Sequence, residues 1–186
     1  MSSLDGSEEP RTLRARRESS ATSETKRLFL LRHAKSSWDD PALADHDRPL
    51  APRGRKAAKL IGGHLRQEGV RVSMVLCSSA RRARETLDRV APGDEIRIEP
   101  DLYEASADEL LERLRRVPDE VETVMLIGHN PAIRDLAVGL ARASDELARQ
   151  KYPTAALATL TFRGPWRALE PGHAELAAFV IPRELG

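Results

Sequence analysis

The sequence predicts a single α/β domain, and three observations carry that prediction. From Lys26 onward, short runs of β-forming residues alternate with segments of helical period. Leu28-Phe29-Leu30-Leu31 is continuously apolar, as a strand covered on both faces must be, and Val121 to Ile127, which ends in the apolar run Val124 to Ile127, reads as another fully buried strand. Residues 27–186, roughly 160 in all, suffice for one core that buries about 70% of the unfolded surface.

Leu28 to Leu31 gives the first strand. Arg53 to Gly69 follows as a helix, with Ala57, Leu60, Ile61 and Leu65 on one stripe and Gly69 as its stop. Val72 to Cys77 is a second strand, and Ala80 to Val90 a helix that turns Ala83, Leu87 and Val90 inward. Ile96 and Ile98 mark a short strand, Asp108 to Arg116 a helix, and Val121 to Ile127 the fourth strand. Asn130 supplies an N-cap and Pro131 the first helical position for a helix over Ala132 to Ala143. Ala155 to Phe162 and Glu175 to Ile181 return to strands, and no internal repeat is visible.

Residues 1–26 differ in kind. They hold six Ser, five basic and five acidic residues, with apolar groups at no useful period. Such a segment cannot offset its ordering entropy and is expected to be a disordered tail; its acids speak against an organelle transit peptide.

Composition narrows the function. Thirty Lys and Arg against 29 Asp and Glu leave a net charge of +1, which argues against nucleic acid or an anionic membrane as partner. With aromatics at 4%, no stacking platform for bases is evident. A single Cys makes neither an internal disulfide nor a Cys-based zinc site and fits a reduced compartment. No apolar run reaches membrane-spanning length, and the N-terminus carries no leader-like apolar stretch, so the expected setting is the cytoplasm.

In an open α/β sheet the chemistry lies beyond the carboxyl ends of the strands. The first strand is followed by Arg32-His33, the second by Ser78-Ser79-Ala80-Arg81-Arg82 and the fourth by Gly128-His129-Asn130-Pro131. Two imidazoles and at least two guanidiniums would therefore converge at one sheet edge, beside two helix N-termini whose amides favour an anion. These groups describe a phosphate pocket that contains a candidate nucleophile.

The order and spacing of the blocks resemble the histidine phosphatase superfamily, with its phosphoglycerate mutase-like fold. Arg32-His33-Ala34 is similar to that family's R-H-G signature, with Ala34 in place of Gly. Asp47-Arg48-Pro49-Leu50, Arg53-Gly54, Ser78 to Thr86, Leu102-Tyr103-Glu104 and Gly128-His129-Asn130-Pro131 follow in family order. Arg32 to Trp38 and the D-R-P-L block most resemble the small SixA-type phosphohistidine phosphatases. The resemblance implies a three-layer α/β/α sandwich around a mostly parallel sheet, and a phosphatase that needs neither metal nor other cofactor.

It also implies roles. His33 matches the nucleophile, whose neutral ring attacks phosphorus while its other nitrogen donates to a carbonyl. Arg32, Arg82 and Arg48 match phosphate clamps, which forked, permanently charged guanidiniums suit. His129 matches a donor to the phosphoryl oxygens, and Glu104 the proton donor for the leaving group. Ser36 and Asn130 rank as further substrate-binding residues, with capping as their alternative.

The leaving group separates the substrate classes. An alkoxide needs a proton, so Glu104 as the acid would admit small phosphate esters; an imidazole leaving from phosphohistidine needs one far less. The expected substrate is thus a phosphorylated protein carrying phosphohistidine, or else a small phosphorylated metabolite. A mutase and a non-catalytic phospho-ligand binder are the other readings, the latter suggested by the Ala34 methyl. Asp39, Asp40, Asp45, His46 and Asp47 read as a solvated loop at the rim, Arg81 and Arg84 as solvent-facing, His64 and His173 as structural, and Cys77 as a small buried hydrophobe.

Overall fold

A computed structural model describes residues 25–90, 93–143 and 145–186. The expected tail, up to residue 24, lies outside the described residues. Thr25 and Lys26, assigned to that tail, instead open the first strand. Thr25 pairs with Arg163, and the Lys26 ammonium, nearly buried, donates to the Asp119 carbonyl at 2.6 Å.

Six strands form one sheet: β1 (Thr25–Arg32), β2 (Met74–Ser78), β3 (Glu95–Glu99), β4 (Thr123–Gly128), β5 (Leu157–Arg163) and β6 (Glu175–Val180). Their order is β3-β2-β4-β1-β5-β6. The first four run parallel, β5 is antiparallel to β1, and β6 is antiparallel to β5. The sheet is therefore mostly parallel, as expected.

Alternation along the central strands divides the core into two layers. Phe29, Leu31, Val75, Cys77, Met125 and Ile127 face helices α1 (Pro52–Gln67) and α2 (Arg81–Val90). Leu28, Leu30, Leu76, Val124 and Leu126 face α3 (Ala107–Arg115) and α4 (Ala132–Leu140). A short α5 (Asp145–Arg149) adds Leu147 to the second layer. Helices on both faces complete the three-layer sandwich and explain the uniformly buried strands.

Local chemistry sets the helix ends. Pro52 starts α1, and Gly69, at φ +62°, stands just beyond its end, as the sequence suggests. Ser106 and Glu109 form a reciprocal capping box on α3. Two expectations fail at α4. Asn130 is no N-cap: its side-chain amide donates to the Tyr152 carbonyl at 3.0 Å, and Pro131 takes the capping position without a side-chain bond. The helix also stops at Leu140 rather than Ala143, because Ala141 turns extended and pairs its backbone with Ala174.

β1, β4 and β2 are adjacent, and Leu31, Ile127 and Cys77 lie level across them. Whatever follows these three residues must gather at one edge.

Candidate active site

His33 leaves β1 with its amide bonded to the Gly128 carbonyl at 3.0 Å, and its side chain is buried. Its Nδ1 lies 2.8 Å from the Ala34 carbonyl oxygen. A carbonyl only accepts, so Nδ1 carries the hydrogen and Nε2 keeps its lone pair. That lone pair accepts from Arg82 Nε at 3.3 Å. Burial, with the neighbouring charges of Arg82 and Arg32 and against the opposing pull of the Ala34 bond, depresses the His33 pKa to about 3. The imidazole is thus a neutral base of fixed tautomer with its free nitrogen toward a guanidinium.

His129 faces His33, the ring centroids 5.0 Å apart. Its Nδ1 lies 3.3 Å from Arg82 Nη2, a pure donor, so Nδ1 accepts there and Nε2 donates to Ser78 Oγ at 2.8 Å. Burial, then the charge of Arg82, lowers its pKa to about 4. Ser78 is fully buried at the end of β2, and its hydroxyl also accepts from the Ala80 amide at 3.3 Å. The hydroxyl can reverse its hydrogen, donate to Nε2 and leave Nδ1–H free to donate to an anion. Ser78 is thereby a partner of His129 that the sequence marked only as the start of a pattern.

Arg82 is the hub. Beyond the two imidazoles it holds Asp45 twice, Nη1 donating to the backbone carbonyl at 2.6 Å and Nη2 to the carboxylate at 2.9 Å. Tyr103 donates its hydroxyl to that carboxylate at 2.6 Å, and this bond, then the bond and charge of Arg82, holds the Asp45 carboxyl below its ordinary range against a smaller effect of burial. The expectation of a purely solvated acidic loop is therefore corrected at Asp45: the three-residue helical turn Asp45–Asp47 carries this carboxylate onto Arg82. His46 is tied down as well, its Nε2 3.0 Å from Ser79 Oγ.

The clamp arginines are placed unequally. Arg32 donates from Nη1 to the Tyr152 carbonyl at 2.9 Å, and its buried Nε has no hydrogen-bond partner among the described residues. Arg48 makes no bond to either histidine; its guanidinium lies 3.5 Å over the Trp38 ring, with buried Nε and Nη1 also unpartnered. Buried N–H donors without acceptors are costly unless an anion comes to them. Asn130 bonds the same Tyr152 carbonyl, and its buried Oδ1 is unpartnered. Ser36 pairs its backbone with Leu50, and its hydroxyl forms no hydrogen bond among the described residues.

Over the cluster lies a cavity of about 470 Å³ lined by Asp45, Arg82, Tyr103, Glu104, His129 and Asn130 among others. Glu104 stands exposed at its edge without a bonding partner among the described residues. No group of three or more His, Cys, Asp or Glu suited to hold a metal occurs among the described residues.

The scaffold is locked locally. Thr86 Oγ1 donates to the Arg82 carbonyl at 2.7 Å and accepts the Ala34 amide at 3.0 Å, joining α2 to the loop after β1. Glu85 accepts the Leu50 amide at 3.0 Å. A Cβ on Gly54 would stand 2.1 Å from the Lys35 carbonyl oxygen, which explains the glycine at this close approach. The Ala34 methyl is fully buried in the core, so it does not intrude on the cavity. Ala155, at φ +62°, sends its amide to the carbonyls of Arg32 and His33 at 3.0 and 3.1 Å, holding a conformation that costs roughly 1–2 kcal/mol outside glycine.

Residues 28–122 match the sequence model of the histidine phosphatase superfamily (branch 1). An uncharacterized protein of Mycobacterium tuberculosis is 43% identical over 159 residues, covering 82% of this chain and all of the relative. Among solved structures, a candidate phosphohistidine phosphatase SixA from Nakamurella multipartitia superposes with a TM-score of 0.78 at 33% identity, over 85% of this chain and 96% of that one. The SixA-type counterpart from Agrobacterium tumefaciens gives 0.70 at 29% identity, over 84% and 98%.

Proposed function

This chain belongs to the histidine phosphatase superfamily, with SixA-type proteins among its structural neighbours, and from that premise we propose that it hydrolyses protein phosphohistidine through a phosphorylated His33. The observation that carries the reading is the His33 ring: hydrogen on Nδ1 and an unprotonated Nε2 beside Arg82.

In this reading the lone pair of His33 Nε2 attacks phosphorus, the P–N bond to the substrate imidazole breaks, and that imidazole takes a proton from solvent. Water then attacks the phosphorus on His33, the P–N bond to Nε2 breaks, and inorganic phosphate leaves as a proton of that water returns to solvent and the free ring is restored. Arg82 and Arg32 take up the equatorial charge, Arg48 adds a third cation at the rim, and His129 donates from Nδ1 once Ser78 donates to its Nε2. Ser36 and Asn130 serve as outer contacts of the substrate. The buried, unpartnered N–H groups of Arg32 and Arg48 support an anionic ligand.

An imidazole leaves without strong acid assistance, and the exposed position of Glu104 suits that case. Because Glu104 also lines the cavity, small phosphate esters form the second reading, with Glu104 as their proton donor.

The test runs a phosphohistidine peptide beside a panel of sugar and glycerate phosphates. Faster turnover of the peptide, unaffected by Glu104→Gln, is expected; preference for an ester, lost in Glu104→Gln, favours the second reading. Isomer formation in place of phosphate release would indicate a mutase, and phosphate binding without turnover a binding module.

A further inference from the structure

A second cavity, of about 810 Å³, is lined by residues next to Tyr152 in the chain. The Tyr152 carbonyl accepts from Arg32 and Asn130 on the catalytic side, while its neighbours Lys151 and Pro153 line the second cavity. Lys35, two residues beyond His33, lines it too. The segment from Lys151 to Pro153 thus links this cavity to Arg32 and Asn130.

The lining is predominantly cationic. Lys35, Arg53, Lys151 and Arg183 face it, against Glu184 as the one acid of the lining among the described residues, in a chain whose net charge is only +1. The side chains of these four cations form no ion pair or hydrogen bond among the described residues. They come from four separate places: the loop after β1, the start of α1, the loop before β5, and the C-terminal helical turn Pro182–Glu184. Phe179, half-buried, and Ile181, buried, add apolar surface.

This is recognition chemistry of a different kind from the catalytic pocket. There, buried guanidinium donors lack acceptors, as a small phosphoryl group requires; here no buried polar atom is unpartnered among the described residues. Spread cations on flexible stems around apolar surface match carboxylates distributed along a chain with aliphatic side chains between them. The volume falls within the range of about 300–1,000 Å³ typical of binding clefts.

We propose that this cavity is a docking groove for an acidic segment of the phosphorylated protein substrate, whose carboxylates meet Lys35, Arg53, Lys151 and Arg183 while an aliphatic side chain covers Phe179 and Ile181. The inference rests on the phosphohistidine phosphatase reading and specifies what flanks the phosphohistidine.

The experiment uses the full chain and a fluorescein-labelled octapeptide of alternating Glu and Leu, followed by anisotropy. Saturable binding that weakens with added salt is expected. The double variant Lys151→Glu/Arg183→Glu should lose at least tenfold in affinity, and His33→Ala should bind as the wild type does. With a phosphohistidine peptide flanked by the same sequence, the double variant should raise KM at least tenfold with kcat unchanged, and leave turnover of an aryl phosphate within twofold. Absence of saturable binding, or affinity indifferent to charge reversal, overturns the groove. Displacement by 2,3-bisphosphoglycerate at lower concentrations than by unlabelled peptide overturns it in favour of a small dianion. If the wild type turns over neither substrate, the phosphatase reading falls, and the anisotropy result alone decides the groove.

Discussion

At the scale of single residues the account depends on protonation. His33 and His129, depressed to about 3 and about 4, remain neutral where a free imidazole is half protonated. Their ring signals, followed by NMR between pH 8 and 5, should therefore not titrate; a midpoint near 6.5 for His33 would contradict the buried, Arg82-facing geometry. Asp45 offers a second test. Its carboxylate holds Arg82 Nη2, the donor a phosphoryl oxygen would use beside Nε. Asp45→Asn removes the competing charge and should tighten orthovanadate inhibition about tenfold, roughly 1.4 kcal/mol. Weaker inhibition would mean that Asp45 positions Arg82 rather than competing for it. The sequence grouped Asp45 with its acidic neighbours because nothing in a loop's spacing says which carboxylate turns inward. Tyr103 was likewise visible only as the residue before Glu104.

At the scale of elements, α2 and the loops after β1 act as one piece. Thr86 bridges Arg82 to Ala34, so Thr86→Val leaves the buried Ala34 amide without an acceptor, which costs about 1–3 kcal/mol. Unfolding in urea should register that loss, and kcat/KM should fall with it. Gly54→Ala would drive a methyl into the Lys35 carbonyl and should destabilise by about 2–4 kcal/mol, a prediction contradicted by an unchanged urea midpoint. The strands and most helices were legible, because burial on both faces leaves a continuous apolar run and a helix leaves its stripe. The start of α4 was not. Asn130-Pro131 fits a generic cap, but Tyr152, distant in sequence, draws the Asn130 amide away. The same carbonyl anchors Arg32, so a tertiary contact overrode the local rule where it serves the site.

At the scale of the molecule, two neutral histidines buried in a cationic pocket link stability to pH. Both rings have folded-state pKa values below their ordinary 6.5, so the unfolded chain binds more protons as the pH falls. The stabilisation is complete above pH 6.5 and is lost progressively towards pH 3. Asp45 and Glu85, both lowered, act below their ordinary values of 3.8 and 4.5, so the window from pH 6.5 to 5 isolates the histidines. Urea midpoints should fall across that window in the wild type and stay flatter in His33→Ala/His129→Ala; equal slopes would contradict the linkage. The convergence of β1, β2 and β4 at one edge was readable from where the apolar runs end, whereas the cationic groove was not, since its four charges come from positions 18 to 148 residues apart that only the fold assembles.

The central claim is that His33 Nε2 takes the phosphoryl group. The direct measurement is a rapid acid- or base-quench of the enzyme with a phosphohistidine peptide, followed by mass spectrometry of its own tryptic fragments. A phosphoryl group on His33, stable in base, labile in acid and missing from His33→Ala, which should also lose turnover while keeping its fold, is the predicted result. Turnover that persists in His33→Ala, or a phosphoryl group found on another residue, would contradict it.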